Sequence, residues 1–323
     1  MMFNIAFALV ALQPFNPSIS KLTKTSQYRK TISRSCIVQP CSLKTKKHSN
    51  WGLSKLNHPY KNDNTFDFPE NAGQNVAVYV IDTGLTLGHD DYEYPVRRVD
   101  VTSSNTVKDE YGHGTKVASI IAGKNNGVAK YAEVISVKVL SNTEFKLIEG
   151  LQFVIDDVQL HNKKSVINLS VGYNYKYFDT AILRSKIRTL IDMGVVIVDA
   201  AGNDSEFAGH RDVLTSINGL IVVGSINKDN RVSTFSNYGQ QIDLFAPGGD
   251  VAYDRNIMGF KNKQSIDGTS FSSPYVAGVV ATYLSSGIEP EDMLKTLIKN
   301  SHKGFIESDG LHGSPNRIVN NIL

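Results

Sequence analysis

The chain has 323 residues, is 41% hydrophobic and 20% charged, and carries a formal net charge of +3. This composition excludes a disordered chain. No apolar run reaches the ~18 residues of a membrane span, and two cysteines are too few for a disulfide-stapled scaffold. The charge is uneven: residues 1–50 hold eight Lys/Arg and no Asp or Glu, leaving 26 Lys/Arg against 31 Asp/Glu, or −5, for the remainder.

The chain opens MMFNIAFALVALQP, in which Ile5–Leu12 is an apolar core of signal-peptide length, although no positive charge precedes it. We read 1–20 as a leader and 21–50 as a basic pro-segment or linker that is expected to be disordered. The Arg/Ser-rich, acid-free stretch 31–47 also fits a transit peptide. A basic arm of this kind can touch nucleic acid or membrane. Its place directly behind a leader argues against both, so neither a nucleic-acid partner nor a membrane span is expected. Cys36 and Cys41 both lie in this head. No disulfide can therefore staple the body, and cysteine usage does not fix its redox compartment.

From Trp51 the pattern changes. Short apolar, β-branched runs appear at Val76–Ile81, Val134–Leu140, Val166–Val171, Val195–Val198 and Leu220–Val223. Runs of this length suit strands buried on both faces. Helical stretches fall between and after them, over Lys116–Ala122, Phe145–Asp157, Asp179–Met193 and Pro274–Leu284. The alternation predicts an α/β fold, a doubly wound, mostly parallel sheet with helices on both faces. No repeat or low-complexity linker interrupts 51–323, which reads as one domain.

Three motifs fall at equivalent places in this pattern. Val80-Ile81-Asp82-Thr83-Gly84 ends the first strand, Gly112-His113-Gly114-Thr115 opens a helix, and Gly268-Thr269-Ser270 opens another. Open α/β sheets bind ligands beyond the carboxyl ends of their strands, so an acid, an imidazole and a hydroxyl become candidates for one rim. Pro274 selects among the hydroxyls of TSFSS: proline is tolerated only near a helix start. The helix must then begin near Ser270 or Phe271, which puts Ser270 where free N–H groups favour negative charge. Ser272 and Ser273 read as ordinary capping or packing hydroxyls. A serine needs a base to become a nucleophile, and an imidazole serves near neutral pH. That imidazole needs a carboxylate to hold its tautomer. Of the histidines, including His58, His89, His161, His210, His302 and His312, only His113 is flanked by glycines at a helix opening.

The order Asp82, His113, Ser270 is the order of the subtilisin triad, and from Trp51 to Leu323 the chain resembles the subtilisin-like serine proteases, the proteinase K branch above all. Further motifs carry the resemblance. Ala200-Ala201-Gly202-Asn203 is similar to the oxyanion segment, and Asn168-Leu169-Ser170-Val171-Gly172 to the substrate-binding strand. Phe235–Gly239 and Asp243–Gly248 resemble two late loops, Trp51-Gly52-Leu53 the mature start, and Gly313–Asn316 the usual finish. The resemblance implies a subtilisin-like three-layer fold and a serine endopeptidase of broad specificity, with Asp82, His113 and Ser270 as triad. It also implies an oxyanion hole from Asn203 and the Ser270 N–H, a substrate strand over Ser170, Val171 and Gly172, and a pocket beside Ala200 and Gly202. No cofactor is needed for that chemistry, but Asp243 matches a calcium-binding aspartate, its other ligands expected near Asn218–Leu220. Polypeptide substrates, a monomer, and a secreted or vacuolar location follow from the same likeness.

The chain also departs from the pattern. Lys116 stands where a second histidine is usual, Asp199 replaces an apolar residue, and Tyr173 a glycine. The loop Ser141–Leu147 lacks the glycines that help build the second wall of the substrate cleft. The stretch 21–50 is shorter than the folded propeptide the resemblance implies. The sequons at Asn168 and Asn203 fall in segments expected inside the fold or the site, and glycosylation is not expected there. The main alternative is a catalytically weak or inactive binding protein on the same fold. An aspartic protease would need a second Asp-Thr/Ser-Gly, and a nucleotide-binding protein a glycine-rich phosphate loop after the first strand; neither is present.

Overall fold

A computed structural model describes residues 42–323, apart from 48–49, 61–63, 89–90, 173–179, 211–212, 250 and 254–263. In chain order the strands are β1 (Leu43–Lys47), β2 (Thr65–Pro69), β3 (Val76–Asp82), β4 (Val96–Asp100), β5 (Glu133–Lys138), β6 (Lys164–Leu169), β7 (Val196–Ala200), β8 (Leu220–Ile226), β9 (Leu244–Pro247), β10 (Val251–Tyr253), β11 (Gln264–Ile266), β12 (His302–Lys303) and β13 (Arg317–Ile318). The helices are α1 (Trp51–Lys55), α2 (His113–Ala122), α3 (Leu147–His161), α4 (Thr180–Asp192), α5 (Thr269–Ser285) and α6 (Met293–Asn300).

Every residue of β3 is buried. Successive side chains of a strand point to opposite faces, and β3 divides accordingly. Val76, Val78 and Val80 join one apolar cluster with side chains of α2 and α5, while Ala77, Tyr79 and Ile81 join a second with α3 and α4. A strand so placed has helices on both sides, which gives three layers. The main sheet runs β12-β13-β9-β8-β7-β6-β3-β5-β4, and all its pairs are parallel except β12 with β13.

The strands that sequence patterning misses have few apolar residues or few residues at all. β4 reads VRRVD and lies at the sheet's edge. Arg97 in β4 grips Asp157 of α3 with two hydrogen bonds, 2.6 and 3.0 Å, and Tyr79 Oη donates to the same carboxylate at 2.8 Å. A buried carboxylate is costly unless it is paired, and this one is paired on two sides.

The parallel register brings Asp82, Ser170 and Ala200 to the same rim. Ile81 pairs with Leu169, and Leu169 with Asp199. Asp199 is buried in β7 between β6 and β8. Among the described residues no helix is long and apolar enough to cross a membrane.

The expected boundary at Trp51 needs correction. Among the described residues the body already begins at Ser42, whose carbonyl accepts the Glu70 N–H at 3.0 Å. Leu43–Lys47 is not disordered but pairs with β2 residue by residue, from Leu43 opposite Pro69 to Lys47 opposite Thr65. Asn50 is buried, accepts the Gly52 N–H at 2.9 Å as the cap of α1, and accepts Tyr275 Oη of α5 at 3.0 Å. Residues ahead of Trp51 are thus built into the body by backbone pairing and by a buried polar contact. The leader at 1–20, residues 21–41, both cysteines and Tyr173 lie outside the described residues.

Candidate active site

β3 ends in Asp82, wholly buried, and α2 begins at His113, whose side chain is 30% accessible. His113 Nδ1 lies 2.8 Å from Asp82 Oδ1, an oxygen that also accepts the Thr83 N–H at 2.7 Å. The dry carboxylate thereby fixes the protonated ring nitrogen and leaves Nε2 as the basic one. Burial pushes the imidazole pKa down, but the Asp82 charge and its hydrogen bond outweigh it, with a smaller contribution from Asp109. The net pKa lies above 6.5 although the Lys116 charge opposes the rise. The ring packs on Phe271, centroid to centroid 5.3 Å. Glycine at 114 is required by close approach: a Cβ there would run into the Gly84 carbonyl.

Asp109 anchors this corner, and the motif reading did not single it out. Its Oδ1 accepts from Thr83 Oγ1 at 2.8 Å, Tyr111 N–H at 3.1 Å and Gly112 N–H at 2.7 Å. Its Oδ2 accepts from Thr115 N–H at 2.8 Å and Thr115 Oγ1 at 2.7 Å. A helix start has unpartnered N–H groups, and Gly112 offers no side chain to cap them. Asp109 satisfies them from three residues upstream and ties α2 to the end of β3. The signal was present in the sequence as an acid a short turn ahead of Gly-His-Gly-Thr.

Ser270 is the second residue of α5, behind Gly268 at φ 146°, a backbone setting that favours glycine. Pro274 lies further inside the helix than expected, because α5 starts at Thr269. Its missing N–H leaves the Ser270 carbonyl without the usual i+4 donor, and Ser170 Oγ donates there instead at 2.9 Å. Ser270 Oγ returns a bond to the Ser170 carbonyl at 3.1 Å; among the described hydrogen bonds it does not donate to His113. Ser273 is more than a packing hydroxyl, since its Oγ is 2.9 Å from Ser170 Oγ. Asn168, fully buried, donates to that same Oγ at 2.8 Å. Proline and serine cluster thus clamp the turn that carries Ser270 to the end of β6.

Asn203 lies on the exposed loop after β7. Its Oδ1 accepts from Thr269 N–H at 2.8 Å and Thr269 Oγ1 at 2.9 Å. A backbone N–H only donates, which settles the amide's orientation and leaves Nδ2 as the outward donor. Gly202 N–H donates to Thr269 Oγ1 at 3.1 Å. The loop is stitched from behind by Asn237, which accepts from Asp204 and Glu206 N–H through Oδ1 and donates to the Ala201 carbonyl at 3.0 Å. Ala200 ends β7, half-buried. Ser170 is buried, Val171 half-buried and Gly172 exposed; a Cβ at Gly172 would meet nothing within 4 Å.

Asp243 lies apart from this rim, on a cavity whose wall also includes Asn218, Gly219 and Leu220. Its Oδ2 accepts the Val222 N–H at 2.9 Å. Burial raises its carboxyl to about 6, against the lowering effects of that bond and of Arg317. A half-buried carboxylate on a wall shared with the 218–220 loop has the hard oxygen chemistry that suits calcium. No group of three or more His, Cys, Asp or Glu that could hold a metal occurs among the described residues.

Comparison with known proteins follows the same lines. Residues 73–318 match the subtilase family. A cuticle-degrading serine protease of Arthrobotrys oligospora is 33% identical over 291 residues, covering 84% of this chain and 68% of that protein. Subtilisin-like protease 2 of Pseudogymnoascus destructans is 35% identical over 262 residues, 79% of this chain and 63% of that protein. The chain thus spans about two thirds of the length of these relatives. The crystal structure of a cold-adapted subtilisin-like serine proteinase superposes with a TM-score of 0.71 at 29% identity, covering 84% of this chain and 98% of that one.

Proposed function

The chain belongs to the subtilase family, which makes it a serine endopeptidase by class, and from that premise we propose that Asp82, His113 and Ser270 carry out its peptide-bond hydrolysis. The observation that carries this reading is the 2.8 Å contact of His113 Nδ1 with buried Asp82, on an imidazole whose ring rests on the residue next to Ser270. Ser270 Oγ attacks the peptide carbonyl while His113 Nε2 takes its proton, and His113 then gives that proton to the leaving amine. To begin, Ser270 Oγ turns from the Ser170 carbonyl to the imidazole, a tightening expected when substrate enters a resting site. The oxyanion rests on the Ser270 N–H, at the start of α5, and on Asn203 Nδ2, already aimed outward by Thr269.

Ser170, Val171 and Gly172 pair with the main chain of an extended substrate, and the residue before the cut lies against Ala200 and Gly202. Recognition through main chain accepts many sequences, which supports broad specificity. We also propose calcium at Asp243 with carbonyls of 218–220 completing the site; when bound, the ion supplies stability and takes no part in the hydrolysis. The signal-like opening of the chain supports a secreted protein, or one of the secretory route.

The second reading, a binding protein that does not turn over, draws on the bond that holds Ser270 Oγ to Ser170. A serine-directed phosphonylating reagent separates the two. Labelling confined to Ser270 and lost in His113→Ala supports the hydrolase. A folded sample that takes no label supports the binding protein.

A further inference from the structure

Three charged side chains stand in a row across the sheet behind the His113 corner. Asp82 of β3 is opposite Lys138 of β5, and Lys138 is opposite Asp100 of β4. Side chains of a strand alternate between faces. Asp82 and Lys138 therefore share the face of Val80 and Val134, which pack with α2. Lys138 is wholly buried. An ammonium has three protons to give, and among the described hydrogen bonds none goes to either acid. Nζ donates instead to the Thr106 carbonyl at 3.1 Å, the Lys108 carbonyl at 3.0 Å and Glu110 Oε2 at 3.1 Å.

These partners flank Asp109 on both sides. Residues 101–112 form neither helix nor strand and are mostly polar, so apolar packing alone does not hold them. Asp100 ties down the start of this loop by accepting from Thr102 N–H at 2.9 Å and Ser104 Oγ at 2.8 Å. Asp109 ties down its end with the five bonds of the His113 corner. Lys138 holds the part between, from below. A buried ammonium is costly without partners, so the loop is held where its oxygens meet Nζ. That requirement fixes the Lys108 carbonyl immediately before Asp109 and the Glu110 side chain immediately after it.

We propose that Lys138 is a positioning residue for the hydrolysis: by gripping both neighbours of Asp109 it sets that carboxylate against Thr83 and Thr115, and so keeps His113 in line with Asp82. This rests on the hydrolase reading. The charges that act most on the imidazole are Asp82 on β3, Asp109 on the loop and Lys116 on α2. Asp109 favours the protonated ring, so an Asp109 that drifts away lowers the His113 midpoint. Loss of a nearby cation by itself would raise it. The direction of the shift thus separates a displaced Asp109 from a simple change of charge.

The test uses Lys138→Met in the full chain, which keeps an unbranched stem and removes the ammonium. We expect kcat to fall ~10- to 100-fold with KM nearly constant, the scale on which a small misplacement of a catalytic group is felt. The His113 midpoint should move to lower pH. In Lys138→Met combined with Asp109→Asn, the midpoint should equal that of Asp109→Asn alone, because no carboxylate remains to be misplaced. A folded Lys138→Met with wild-type kcat and midpoint, a midpoint shifted upward, or additive shifts in the double variant overturn the proposal. If Lys138→Met does not fold, Glu110→Gln replaces it, since that carboxylate is 45% exposed. A lower kcat that is no longer seen in the Asp109→Asn background upholds the role; an unchanged kcat, or a fall that persists there, refutes it. Imidazole NMR, with the His113 signal identified by its loss in His113→Ala, follows the midpoint without turnover. It decides the role of Lys138 even if no peptide is cleaved and no phosphonyl label enters Ser270, the outcome in which the hydrolase reading itself fails.

Discussion

Replacing Asp109 by asparagine tests whether one buried carboxylate organises the corner that holds His113. The carboxylate accepts five hydrogen bonds, three at Oδ1 and two at Oδ2. An asparagine carbonyl in the Oδ1 place keeps the bonds from Thr83, Tyr111 and Gly112, but its NH2 then faces the Thr115 N–H, and two donors cannot pair. A buried donor left unpaired costs ~1–3 kcal/mol, and the surviving bonds weaken because they lose their charge. We expect a loss of about 3 kcal/mol and, at ~2–4 °C per kcal/mol, a fall in Tm on the order of 10 °C. The Asp109 charge also helps hold the His113 pKa above 6.5. His113 must be neutral to act as base, so wild-type kcat/KM should rise through a midpoint above 6.5, and the variant's midpoint should move to lower pH. The stability effect has the matching sign: a raised imidazole pKa stabilises the fold below ~6.5, and this contribution disappears as pH rises through the folded value. The His113 part of the loss should therefore be larger in acid. Calorimetry with a pH–rate profile checks both; an unchanged Tm, or an acid limb displaced upward, would refute the reasoning.

Three further predictions use other parts of the molecule. Asn203→Ala should lower kcat by ~100- to 1,000-fold with KM nearly constant, as expected of a donor that serves only the transition state; steady-state kinetics showing equal changes in both would count against it. Asp243 has a carboxyl raised to about 6 from 3.8, so the fold holds that proton more tightly than the unfolded chain and loses stability as pH rises across this window. Asp243→Asn should then be more stable than wild type at alkaline pH in chelator, whereas calcium should raise the Tm of wild type alone; a variant that still responds to calcium removes the proposed site. Asn50→Ala loses the cap on Gly52 and strands the buried Tyr275 hydroxyl, which together should cost about 2 kcal/mol in denaturant unfolding. A chain cut back to Trp51 should lose at least as much, and wild-type stability in either would show that residues ahead of Trp51 are dispensable.

The long buried strands were legible because a strand covered on both faces takes mostly apolar side chains: VAVYVI and VINLSV announced β3 and β6 within a residue or two of their starts. β4 was not, because an edge strand gripping Asp157 through Arg97 reads VRRVD and breaks the apolar pattern. β1 was hidden differently, since LKTKK is a strand only because β2 offers it a partner.

The chemical types at the candidate site, and the family they belong to, came from the sequence alone: an acid ending a strand, and an imidazole and a hydroxyl opening helices, are local signals that short motifs carry. How those groups are held was decided only by the tertiary structure. Asp109 braces His113 by reaching Thr83, just past the end of β3. Ser170 takes up the carbonyl that Pro274 cannot serve from 100 residues away, Thr269 turns the Asn203 amide, and Lys138 holds the Lys108 carbonyl. Such contacts join segments distant in the chain, and their energies depend on which polar group is buried opposite which, a fact that no single stretch of residues contains.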